Sequence, residues 1–211
     1  MRTVLTLGFI IFLLGCPGTV YQVSALPDSQ PLRKPAVSNR PGPMVHAGSG
    51  LAFAETYGSF QRTMAIRYDT AGLDGSFNYN TSWDKCKVVA SFYMYPTPQM
   101  DFVGAPTNVV ASKTREWLKN EFDHVKGVFR EIHPSMHSEM EHEVTTPAQG
   151  GYLNGHSFVF RIGSNISELR LFVYKAQWFI KYRFTYPEWC ETEAFSRIEA
   201  MTGELPWAAP E

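Results

Sequence analysis

The chain has 211 residues, of which 44% are hydrophobic and 14% aromatic. This length suits one domain with tails, and this composition suits a packed core. The 19 basic and 20 acidic residues are balanced and form no basic run, which argues against nucleic acid as the main partner. No stretch beyond the N-terminus approaches the ~20 apolar residues of a transmembrane helix, so any membrane attachment is expected at the N-terminus.

The N-terminus resembles a secretory signal over residues 1–25. Arg2 supplies the positive charge, and a short apolar run follows over Val4–Leu14, as signal peptides require. Two processing sites fit. Cleavage after Ala25 would release the protein into the periplasm or outside the cell. Alternatively, the Leu-Leu-Gly-Cys sequence resembles a bacterial lipobox, which would place a lipid anchor on Cys16. Both routes predict an exported protein.

Residues 26–50 are rich in proline, glycine and serine and lack apolar periodicity. Such composition is typical of flexible linkers, so this segment is predicted to be a disordered tether. The remaining residues, 51–211, are then expected to form a single domain.

Within that domain, the hydrophobic periodicities predict strands and two helices in a definite order. Three strands come first, then a long amphipathic helix from Thr107 or Asn108 to about His133, then four more strands, and finally a helix over about 190–203. Consecutive strands joined by short turns imply an antiparallel sheet. The predicted fold class is therefore α+β, with a sheet of about six to seven strands and both helices packed on it. The seven predicted strands lie near 64–68, 77–79, 87–95, 141–146, 156–162, 168–175 and 178–186.

The domain contains two cysteines, Cys86 and Cys190. In an oxidising compartment such a pair favours one disulfide. Two separate buried thiols are the alternative.

The last hairpin carries a resemblance to a known family. It ends in Lys175-Ala-Gln-Trp-Phe-Ile-Lys-Tyr-Arg-Phe-Thr-Tyr-Pro187 and is followed by a terminal helix. With the order of the preceding elements, this resembles the PsbP-like family over about residues 58–203. The resemblance implies binding or assembly roles in exported proteins and lipoproteins, and carries over no site residue.

Histidines, glutamates and methionines are concentrated between residues 133 and 143. These side chains are ligands for copper or zinc, so His133, His137, Glu141 and His142 are candidate metal ligands. Zinc protease signatures place two histidines four residues apart on one helix. His137 and His142 are five apart. His133 and His137 have the required spacing, but Pro134 between them breaks a helix. The alternative interpretation is a solvated connector after the long helix.

The last hairpin also combines aromatic and basic side chains. Lys181 and Arg183 share one strand face, and Tyr174 lies on the preceding strand. One interpretation is an open sheet face that binds an anionic ligand or partner. The other is an aromatic core face with a solvated basic back.

Catalytic motifs are missing from the sequence. It contains no G-x-S-x-G elbow and no phosphate-binding glycine loop, so no catalytic residue and no cofactor other than copper or zinc is predicted. We therefore expect a non-enzymatic binding or assembly protein of the envelope, with an envelope protein or a small ligand as partner. The alternative is a periplasmic copper- or zinc-binding protein.

Overall fold

The computed structural model describes residues 26–98, 102, 104–148 and 151–208. The predicted leader, with Cys16 and Ala25, lies outside the described residues. The described residues contain two α-helices, α1 (Thr107–Ile132) and α2 (Glu191–Thr202), and a short 3-10 turn over Glu188–Cys190 precedes α2. The strands in chain order are β1 (Pro31–Ser38), β2 (Met44–Val45), β3 (Ala52–Phe53), β4 (Thr56–Tyr57), β5 (Phe60–Asp69), β6 (Gly75–Trp83), β7 (Cys86–Pro96), β8 (His137–Ala148), β9 (Gly151–Ile162), β10 (Asn165–Tyr174) and β11 (Trp178–Pro187).

Nine of these strands form one antiparallel sheet in the described part of the chain. Eight of them lie side by side in the order β1-β5-β6-β7-β11-β10-β9-β8. The ninth, the short strand β4, also pairs with β5. The strands β2 and β3 form a separate two-stranded ribbon. The two halves of the chain meet at the centre of the sheet, where β7 pairs with β11.

The predicted α+β class with six to seven strands is wrong. The described part of the chain is mostly β, with 50% of its residues in strands and 23% in helices, and its main sheet has nine strands. The seven predicted strands overlap β5–β11, and the difference arises at one end of the sheet, where the unpredicted strands β1 and β4 both pair with β5. Edge strands tolerate proline and charged side chains that central strands exclude, so their sequences carry little strand signal.

Eight residues of the segment predicted to be a tether form a strand of this sheet. Pro31–Ser38 pairs with β5, so that Ala36 lies opposite Arg67 and Val37 opposite Ile66. The boundary expected at residue 50 therefore does not separate a disordered segment from a domain. Hydrogen bonds to the backbone of β5 hold β1 in place, and this contribution is independent of side-chain hydrophobicity.

The sheet buries apolar side chains on both faces. On the face covered by α2, here called the α2 face, alternate residues of β11 join one core with Ile198 and Trp207. On the opposite face, here called the α1 face, Phe179 of β11 belongs to a second core with Leu118 and Phe122 of α1. Because side chains of a strand alternate between faces, each strand serves both layers. Among the described residues, no helix is long and apolar enough to cross a membrane.

The disulfide predicted from the cysteine count is confirmed. Cys86 and Cys190 are bonded, with their Cα atoms 6.2 Å apart. Both residues are buried in the core of the α2 face. The bond joins the first residue of β7 to the turn that leads into α2, and so fixes the start of that helix to the sheet.

Gly155 is the position where we expect a single added methyl group to destabilise the sheet. A Cβ atom there would lie 2.3 Å from the carbonyl oxygen of Leu171 and 2.4 Å from the ring of Phe172. Neither neighbour can move away easily, because the Leu171 oxygen belongs to the backbone of β10 and the Phe172 side chain is fully buried. We expect Gly155→Ala to lower the free energy of unfolding by about 1–3 kcal/mol, measured by urea denaturation.

Gly127→Ala is the matched control, since a Cβ atom at this helical position meets nothing within 4 Å. It should raise stability by about 0.5–1 kcal/mol, because glycine inside a helix is less favourable than alanine. Equal effects of the two substitutions would contradict the steric argument.

Candidate ligand-binding cleft

The helix α1 covers only part of its sheet face. It packs on β9 and β10, while the same face of β5, β6 and β7 extends beyond it. A cleft of about 350 Å³ lies where the helix leaves the sheet. The residues that line it come from β5, the β5–β6 turn, β7, α1 and β11: Tyr68, Asp74, Tyr93, Tyr95, Glu121, His124, Val125, Val128, Phe129 and Lys181.

Lys181 is the cation of this cleft. Odd-numbered residues of β11 point to the α1 face, so the Lys181 side chain enters the cleft from its floor. Its ammonium lies 4.6 Å from the ring centroid of Tyr93 and 5.4 Å from that of Tyr95. Within the described part of the chain, it makes no hydrogen bond and no ion pair within 4.0 Å. Burial lowers the pKa of Lys181, while the nearby charges of Glu121 and Asp74 raise it.

Arg183 lies next to the cleft, two residues further along β11. Its guanidinium lies over the ring of Phe129, 4.9 Å from the centroid. Its Nε atom is buried without a hydrogen-bond partner among the described residues, and burial lowers the pKa of Arg183. Two successive basic residues on this face are therefore placed against aromatic rings rather than against carboxylates.

Two carboxylates stand at the walls of the cleft. Glu121 of α1 accepts a hydrogen bond of 2.7 Å from the hydroxyl of Tyr95, which ties the helix to β7. Asp74 lies in the turn before β6 and is half-buried. Burial and repulsion by Asp69 raise the pKa of Asp74, while Lys181 lowers it. The cleft thus contains separated charges of both signs.

The sheet beside the cleft is polar and internally hydrogen-bonded. The hydroxyls of Tyr68 and Ser76 lie 3.1 Å apart, and Ser91 donates a 2.7 Å hydrogen bond to Asn78. These groups satisfy one another. Within the described residues, the charged groups with unused hydrogen-bonding capacity in this area are then Lys181 and Asp74, which line the cleft, and Arg183 beside it.

The structure separates the three residues predicted to form a ligand face. Lys181 and Arg183 lie together on the α1 face, half-buried rather than open to solvent. Tyr174 lies on the α2 face, where it is buried in the core. Sequence reasoning missed Asp74 and Glu121, which approach Lys181 only through the fold. Tyr93 and Tyr95 carried a signal, because their alternation with Phe92 and Met94 marks them as the second face of β7.

The predicted metal ligands are not brought together. In the part of the chain that the structure describes, no three His, Cys, Asp or Glu side chains lie close enough to hold a metal ion. Glu141 and His142 are neighbours in an extended strand and therefore point to opposite faces. Glu141 forms a 2.8 Å ion pair with Lys126. The segment is the exposed edge strand β8, preceded by His133 at the end of α1.

A second cleft, of about 460 Å³, lies on the other side of the sheet beneath β1 and β2. Its buried polar group is His46, and local contacts occupy both ring nitrogens. Nδ1 lies 2.9 Å from the Ser49 hydroxyl and Nε2 lies 3.1 Å from the carbonyl oxygen of Leu73. Burial lowers the pKa of His46. This histidine is therefore a hydrogen-bonded core residue, and the cleft on the α1 face is the better candidate site.

No family model, no curated protein and no solved structure matches this chain. The functional argument therefore depends on the residues of the cleft themselves.

Proposed function

We propose that this protein is a non-enzymatic binding protein that binds the acidic group of a small organic molecule in the cleft between α1 and the sheet. The observation that carries the proposal is the ammonium of Lys181. It lies in the cleft, partly withdrawn from water, with aromatic rings beside it and no carboxylate within ion-pair distance among the described residues.

Such a placement is unfavourable without a partner. Removing a charged group from water is costly unless an opposite charge compensates. The cation–π interactions with Tyr93 and Tyr95 offset part of this desolvation cost, because a cation over an aromatic ring gains about 0.5–2 kcal/mol. A ligand carboxylate or phosphate would supply the remaining charge compensation, and it would gain a charge-assisted hydrogen bond.

The shape of the cleft fits a small organic molecule. A volume of about 350 Å³ lies at the lower end of the range for ligand pockets. Val125, Val128 and Phe129 form an apolar wall on the helix side, which would receive the hydrocarbon part of the ligand. The described lining contains no serine, threonine or cysteine nucleophile, so the proposal is for binding rather than catalysis.

Export to the envelope is part of the proposal. It rests on the signal-like residues 1–25, and the Cys86–Cys190 disulfide supports it, since such bonds persist in oxidising compartments. The protein would then reside in the periplasm, either free or anchored by a lipid on Cys16. Binding is also the role that the PsbP-like resemblance implies.

Lys181→Met tests the proposed site. With 3-phenylpropanoate as the probe, we expect this substitution to raise the Kd at least tenfold, because a charge-assisted hydrogen bond contributes about 1.5–3 kcal/mol. The measurement is isothermal titration calorimetry of the mature chain, with circular dichroism to confirm that the variant is folded.

Lys175→Met is the matched control. Lys175 lies in the same hairpin with its ammonium 5.1 Å from the ring centroid of Tyr174, but it is exposed and outside the cleft. It should bind the probe like the unmodified protein. Equal loss of binding in both variants would refute the proposed function.

A further inference from the structure

Asp74 presents a second unpaired charge to the same cleft, at the turn where this cleft and the cleft beneath β1 and β2 share a border. Its carboxylate is half-buried, and among the described residues it accepts no hydrogen bond and forms no ion pair. It does interact with Lys181 electrostatically, since each group shifts the pKa of the other. The two opposite charges therefore face one cleft without closing into a salt bridge.

Each of the two groups is held by its own surroundings. The ammonium of Lys181 is placed by the rings of Tyr93 and Tyr95. Asp74 belongs to the tight β5–β6 turn, in which the backbone amide of Tyr68 donates a 2.9 Å hydrogen bond to the Asp74 carbonyl oxygen. The turn includes Gly72 at a φ of 75°, a conformation that favours glycine. These constraints keep the charges apart and leave both available to a ligand.

From this arrangement we infer that the ligand is a small zwitterion, with its acidic group at Lys181 and its ammonium group at Asp74. The inference deepens the proposed function and rests on it. A zwitterion would satisfy both charges at once, whereas a simple anion would compensate Lys181 and leave Asp74 unpaired beside it. Glu121, already bound to the Tyr95 hydroxyl, adds negative potential that favours a ligand carrying a positive group.

The remaining walls indicate what the rest of the ligand resembles. Val125, Val128 and Phe129 supply apolar surface on the helix side. The expected class is therefore an amino acid or a similar aminocarboxylate with an aromatic or branched hydrocarbon side chain.

Three probes that differ only in their charged groups test this inference. Phenylalanine carries both groups, 3-phenylpropanoate only the acid, and 2-phenylethylamine only the amine. In calorimetric titrations of the mature protein, we expect phenylalanine to bind at least tenfold more tightly than either of the others. Leucine and 4-methylpentanoate form a second matched pair for which the same order is expected.

Asp74→Asn should remove this difference. The substitution preserves size and should weaken phenylalanine binding about tenfold, while 3-phenylpropanoate binds at least as tightly as before. Asp84→Asn, at an exposed position outside the cleft, is the control and should change neither affinity.

The two proposals fail in different ways. If 3-phenylpropanoate binds through Lys181 but phenylalanine binds no more tightly, the zwitterion inference is overturned and the anion-binding function stands. If no member of either matched pair binds, the proposed function itself is overturned.

Discussion

Arg170→Met should lower the free energy of unfolding by about 3–5 kcal/mol, the usual effect of removing one partner of a buried ion pair. Glu168 and Arg170 are 4% and 6% exposed. The Nε atom of Arg170 lies 2.7 Å from Oε1 of Glu168. Arg170 also forms an ion pair with Glu199 of α2, with 2.8 Å between its Nη2 atom and the Glu199 Oε1 atom. Methionine fills a comparable space but leaves the Glu168 carboxylate buried, with the Ser157 hydroxyl as its described hydrogen-bond donor.

Urea denaturation of the folded chain measures this effect. Arg197→Met is the control, because Arg197 forms a partly exposed ion pair with Glu193 and lies over the Trp83 ring, 4.1 Å from its centroid, contacts that together contribute about 1–2 kcal/mol. The double variant Arg170→Met with Glu168→Gln should regain part of the loss, since no charge then remains buried. A loss in Arg170→Met no larger than that in Arg197→Met would show that the pair does not contribute as argued.

Removing the disulfide should be the second large effect. Cys86 and Cys190 are separated by 104 residues, and a crosslink over such a span restricts the unfolded chain strongly. We expect the double variant Cys86→Ala with Cys190→Ala to lose about 2–5 kcal/mol of stability. The measurement is the midpoint of urea unfolding for the variant and for the unmodified protein with its disulfide intact.

The unmodified protein treated with a reducing agent is the control for this variant. Its midpoint should shift towards that of the double variant, whereas the reducing agent should leave the double variant unchanged. Identical midpoints for the oxidised protein and the double variant would contradict a stabilising role of the crosslink.

Several features were predictable because their signal is local. The alternation of Tyr182 and Phe184 with Lys181 and Arg183 identifies β11 and its two faces, since side chains of a strand alternate. Apolar residues at helical spacing locate α1, although Ile132 at its end is exposed rather than buried. These patterns arise within one element and require no knowledge of its neighbours.

The edge strands were not predictable in the same way. Pro31–Ser38 forms β1 because β5 offers it a row of backbone partners, and β8 is extended because it pairs with β9. Hydrogen bonds between backbones stabilise both edge strands. Their side chains can therefore be polar and exposed, and their sequences can contain proline. Composition alone therefore suggests a tether at β1, and a solvated connector over residues 133–143, although residues 141–146 of β8 do carry a weak strand pattern.

By itself, the amino-acid sequence determined the helix α1 and the central strands, because these depend on residue type and on spacing within one segment, and its two domain cysteines favoured the disulfide by their number alone. Only the tertiary structure decided which residues share a site. It placed Tyr174 in the core of the α2 face. It also brought Asp74 and Glu121 from distant parts of the chain into the cleft that contains Lys181. The physical reason is that strand order and the position of α1 on the sheet depend on contacts between elements, which no local periodicity encodes.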